Sequence, residues 1–102
     1  MDVPAIWKNY PCEDYFRSPL SKEGHWSETD QLWLIEPVER VEEDKKAEFL
    51  QVGRPGVDSI GFGYRKDKPG FWAYYPMEEE FRYLATSVSI FLDDWLSGAI
   101  AV

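Results

Sequence analysis

Val57-Asp-Ser-Ile-Gly-Phe-Gly-Tyr64, Arg65-Lys-Asp-Lys-Pro-Gly70 and Phe71-Trp-Ala-Tyr-Tyr75 read as a strand, a polar loop and a returning strand. In the first segment alternation places Asp58, Ile60, Phe62 and Tyr64 on one face, with Val57, Ser59, Gly61 and Gly63 on the other. The loop carries four charges and ends in a Pro-Gly turn, so the chain doubles back as a hairpin. In the second strand Phe71, Ala73 and Tyr75 point one way and Trp72 and Tyr74 the other. A half-solvated strand alternates apolar with polar residues, whereas this one is aromatic on both faces, so something must cover the second face. The N-terminal segment, a second copy of the chain or a functional partner could supply that cover.

Upstream, Leu32-Trp-Leu-Ile35 is a short apolar run between Asp30 and Pro37, the signature of a buried strand. A helix is expected next, with Pro37 at its first position and Val38 and Val41 on one face. Arg40 with Asp44 and Glu42 with Lys46 would be i, i+4 pairs, leaving Glu39 and Glu43 on the solvent side. Phe49 to Val52 reads as a further strand closed by Gly53-Arg-Pro-Gly56. Downstream, Thr86 or Ser87 can cap a helix in which Val88, Phe91, Leu92, Trp95 and Leu96 form one apolar stripe ended by Gly98. Ala99 to Val102 is expected to dock or to pair as a terminal strand. Residues 1–30 show no period and are expected to be largely irregular, their aromatics lying in part against the domain. The sum is one α+β domain over residues 1–102, a mainly antiparallel sheet with helices packed on one face.

With 102 residues the chain suffices for a single core, and 17% aromatic content is far above that of a disordered segment. A net charge of −8 argues against binding nucleic acid or an anionic membrane surface and favours a basic partner. One cysteine, Cys12, allows no internal disulfide, and with no signal-like leader or membrane-length apolar run a cytoplasmic location is expected. Neither Cys12, beside Glu13 and Asp14, nor the lone His25 has a partner spaced for nucleophilic catalysis. Gly61 and Gly63 belong to no phosphate-binding motif and mark a bulge or a close approach. The runs Glu78-Glu79-Glu80, Asp93-Asp94 and Glu42-Glu43-Asp44 lack the alternating ligand pattern of a calcium loop and read as solvated acidic surface. No enzyme activity, metal or cofactor is expected.

The segment Gly56 to Arg65, the following Pro69-Gly-Phe-Trp-Ala-Tyr-Tyr-Pro76 and the closing Ala85-Thr-Ser-Val-Ser-Ile-Phe-Leu92 resemble the bacterial branch of the SMI1/KNR4 (SUKH) superfamily. The resemblance spans about residues 31–98 and leaves the N-terminal third unmatched. It implies an immunity protein that binds and neutralises a toxin domain, often a nuclease, in the cytoplasm. Acidity fits, because a nuclease presents Lys and Arg that an acidic partner can occupy. The expected contacts are the carboxylates of Glu39, Glu43, Asp58, Glu78, Glu79 and Glu80, with Trp72 and Tyr74 as anchors. Two rival expectations use the same aromatic face: a homo-oligomeric accessory protein, a homodimer for instance, and a small-molecule pocket.

Overall fold

Seven strands form one antiparallel sheet in a computed structural model that describes residues 3–102. They are β1 (His25–Ser27), β2 (Leu32–Ile35), β3 (Glu42–Asp44), β4 (Phe49–Gly53), β5 (Gly61–Arg65), β6 (Lys68–Tyr75) and β7 (Glu80–Ala85). The order is β1-β2-β4-β5-β6-β7, with β3 also paired to β4, opposite Phe49 to Gln51. Four of the hairpin turns end in a non-glycine residue of left-handed backbone just before the returning strand: Gln31, Glu48, Asp67 and Glu79. That conformation suits the right-handed twist of the strands and is disfavoured anywhere else in them.

One face of the sheet is covered by α1 (Glu13–Arg17), α2 (Leu20–Glu23) and α3 (Val88–Ser97). Tyr10, Cys12, Tyr15 and Phe16 join Leu50, Val52, Phe62, Tyr64, Phe71, Val88 and Phe91 in one buried core. The Phe91 ring lies 4.7 Å from both Phe62 and Phe71. The Ser87 hydroxyl accepts the Ile90 amide at 3.2 Å, and Gly98 closes the helix in the left-handed region at φ 85°. The expected α+β architecture and the closing helix are both present.

Several local expectations are corrected. The helix expected from Pro37 is a single 3-10 turn, Val38–Arg40, followed by β3. Charge pairs contribute only a few tenths of a kcal/mol each, and a short segment with two apolar residues cannot hold a helix against the ladder that β4 offers. The strand expected from Val57 begins at Gly61, because Asp58 and Ser59 both take positive φ in a turn. The β5–β6 turn is Lys66-Asp67 alone, and Lys68-Pro-Gly70 already belongs to β6. Residues 3–30 place α1, α2 and β1, three short elements, between irregular stretches. Ala99 to Val102 forms no strand; Ile100 packs on the core while Ala101 and Val102 are exposed.

Candidate functional site

The second face of the sheet is built by alternation in four neighbouring strands. Phe49 and Gln51 of β4, Arg65 of β5, Trp72 and Tyr74 of β6, and Phe81 and Tyr83 of β7 project from it. Trp72 pairs with Tyr83 and Tyr74 with Phe81 across β6 and β7, with ring centroids at 5.4 Å edge-to-face and 4.8 Å stacked. Phe49 reaches across β5 to within 5.5 Å of Tyr74. It can do so because Gly61 and Gly63 give β5 no side chain there. At Gly61 the space is taken by Gln51, whose Cδ lies 2.8 Å from where a Cβ would stand, and a Cβ at Gly63 would strike the Leu50 carbonyl. The glycine pair therefore marks a close approach.

The Arg65 guanidinium lies 4.8 Å above Trp72 and 4.0 Å above Phe81, held by the negative faces of two rings. Phe49 at the bottom is buried, Trp72, Tyr74 and Phe81 are half-buried, and Tyr83 is 53% exposed. A groove of about 320 Å³ opens beside them, walled by Tyr74, Phe81, Ala47, Asp44, Glu79 and Lys46. The face thus offers aromatic area and carboxylates at its rim, and α1 and α2 lie on the opposite side. Among the described residues the cover of Trp72 and Tyr74 comes from Arg65 and neighbouring rings, and the N-terminal helices take no part in it.

The expected contact residues divide. Trp72, Tyr74 and Glu79 meet at this face, and Glu78 and Glu80 flank Glu79 at its edge, all three acids exposed. Glu39 is exposed on the 3-10 turn, and Asp58 is exposed in the β4–β5 loop. Glu43 is half-buried and accepts the Tyr10 hydroxyl at 3.0 Å, so it is a structural partner of the core side and not a solvent-side charge. Phe49, Arg65, Phe81, Tyr83 and Asp44 were absent from the expectation. The alternation of Phe81 and Tyr83 after a four-residue turn from Tyr75 was the available signal.

Elsewhere the polar groups serve the fold. Asp14 Oδ2 accepts the Tyr64 hydroxyl at 2.9 Å and the Val88 amide at 2.7 Å. Buried Glu36 accepts two hydrogen bonds from Arg54, at 3.2 Å from Nε and 2.9 Å from Nη2. Cys12 is fully buried, and that burial, then Glu13 and Asp14, pushes its thiol up to about 12. Among the described residues no three His, Cys, Asp or Glu side chains gather as a metal site, and no helix is long and apolar enough to cross a membrane. Compared with family models, with curated proteins and with solved structures, the chain finds no match.

Proposed function

We propose that this chain is a non-catalytic binding module whose aromatic sheet face docks a basic protein, as an immunity protein docks a nuclease-type toxin in the cytoplasm. The observation that carries the reading is the half-open cluster of Trp72, Tyr74, Phe81 and Tyr83 with Asp44 and Glu79 at its rim. Aromatic anchors supply most of the binding energy at protein interfaces, while rim charges mainly raise the association rate. Arg65 lies over Trp72 and Phe81 and Lys46 shares the groove wall, so the local excess of negative charge comes from exposed Glu78 and Glu80 on either side of Glu79. The net charge of −8 adds long-range attraction of the same sign, and the resemblance to the SUKH superfamily names a role in which such a surface is useful.

The test is binding to a basic nuclease-type toxin domain, one encoded by a neighbouring gene where such a gene is found, titrated over a range of salt. Affinity should fall as ionic strength rises, and Tyr74→Ala or Phe81→Ala should weaken it by about tenfold or more, ~1.4 kcal/mol. Glu79→Lys should act mainly on the association rate. Salt-independent affinity, or tight binding that survives both aromatic truncations, would contradict the reading.

A further inference from the structure

Among the described residues the sheet has three free edges of unequal length. β1 and β3 are three residues each, whereas β7, Glu80-Phe-Arg-Tyr-Leu-Ala85, offers six. Among the described residues no backbone hydrogen bond joins β7 to anything beyond β6 on its outer side. Edge strands are ordinarily shortened, bulged or carry Pro or Lys, because a row of unpaired amides and carbonyls recruits another strand. β7 has neither Pro nor Lys, and its one bulge, where Tyr83 to Ala85 face Phe71 and Trp72, lies beyond the regular stretch Glu80 to Arg82. Its two charges, Glu80 and Arg82, are both exposed and enter no ion pair among the described residues.

We propose that β7 pairs antiparallel with β7 of a second copy, about a two-fold axis normal to the sheet. The two sheets would become one continuous sheet with both aromatic faces on the same side. The self-complementarity comes from the strand's own alternation. In an antiparallel pair, opposed residues must both turn their backbone groups toward the neighbour or both away. Identical strands meet that condition only when one residue sits on the axis and faces itself. Glu80 on the axis would oppose two carboxylates, and Arg82 on the axis would oppose two guanidiniums, each a destabilising pair. Tyr83 on the axis would set Arg82 against Leu84 and leave Glu80 unpaired. With Phe81 on the axis, Glu80 faces Arg82 of the second copy twice, and the two Phe81 rings meet.

That register places its ion pairs and its ring contact on opposite faces. Glu80 and Arg82 share the helix side, where the Arg82 guanidinium already lies 4.4 Å above the Tyr75 ring. Phe81 lies on the aromatic side with Tyr74 stacked on it. The strand is not extended past Glu80, because Glu79 at φ 55° turns the chain away. Repulsion between two acidic subunits is screened over about 8 Å at physiological salt, so the close opposite charges decide the contact.

The experiment is solution mass by light scattering and sedimentation, using the chain alone over a range of concentrations. The expected mass is that of two copies of the 11.9 kDa chain. Arg82→Glu and Glu80→Arg should each raise the dissociation constant at least tenfold, and the double variant E80R/R82E should restore the dimer. Both side chains are exposed, so circular dichroism should show an unchanged fold in all three. A wild-type monomer at millimolar concentration, a dimer that R82E leaves intact, or a double variant that stays monomeric would each overturn the proposal. No basic partner enters the measurement, so its result is independent of the toxin-binding reading.

Discussion

Asp14 stands where α1, β5 and the start of α3 meet, and one of its oxygens satisfies a buried phenol and an amide that the helix cannot bond internally. A negative charge at that end of α3 is also favoured by the helix dipole. The same crowding of burial and carboxylates acts on the neighbouring acids. Burial first, then Asp14, holds the Tyr64 hydroxyl well above the usual tyrosine value, and Cys12 is raised from 9.0 to about 12. The folded state thus keeps protons that the unfolded chain gives up. Stability from these groups is intact below the unfolded thiol value and is lost as pH rises from about 9 toward 12, at ~1.4 kcal/mol per pH unit for each titrating group. The urea midpoint should therefore be flat near neutrality and begin to decline near pH 9. In Cys12→Ala the whole curve shifts down for lost packing, and its decline begins near pH 10, where the tyrosines take over. If wild type and Cys12→Ala begin to decline at the same pH, the thiol is not the first group to titrate.

The elements differ in how openly the chain announces them. α3 was legible in its limits, because a hydroxyl cap, an apolar stripe at helical spacing and a terminal glycine are local signals that agree, though Leu96, counted in that stripe, is 61% exposed. The hairpin of β5 and β6 was legible in type, though its turn was set too wide, because Gly70 takes φ 105° inside a strand and looks like punctuation. β3 was hidden by charges whose spacing also suits a helix, and it exists because β4 lies alongside, a long-range fact. β5 shows what such neighbours demand. Gly63 lies so close to the Leu50 carbonyl that Gly63→Ala must part β4 from β5 or distort both, an overpacking cost of about 1–3 kcal/mol. Gly98→Ala meets nothing within 4 Å and suffers only its left-handed φ, about 1 kcal/mol. Denaturant unfolding should rank Gly63→Ala as the more damaging and show it loosening Phe49 over the glycine gap, with a change in near-ultraviolet circular dichroism that Gly98→Ala lacks. Equal costs would mean that the strand approach is softer than its geometry implies.

At the scale of the molecule, the aromatic residues before residue 31 had no readable period, since they are spread over a 3-10 turn, a coil, the five-residue α1 and β1. Most of the candidate face went unread for a related reason: Trp72 and Tyr74 share one strand, whereas Phe49, Phe81 and Tyr83 are brought beside them by strand order. The apparent boundary near residue 30 therefore does not divide core from appendage. Tyr10, Cys12, Tyr15 and Phe16 are at most 2% exposed and pack in the same core as Phe71 and Phe91. Burying such side chains stabilises by about 2 kcal/mol each, so together they approach the ~5–15 kcal/mol that separates a folded domain from its unfolded chain. A fragment of residues 24–102 would also leave Tyr64 without Asp14 and strip the helix-side face of α1 and α2. It should lose the near-ultraviolet signal of the whole chain and bind a hydrophobic dye, whereas the full chain unfolds in one cooperative transition. A fragment with native near-ultraviolet bands and a sharp transition would show instead that the sheet and α3 suffice for the core, leaving the first two helices as a covering layer.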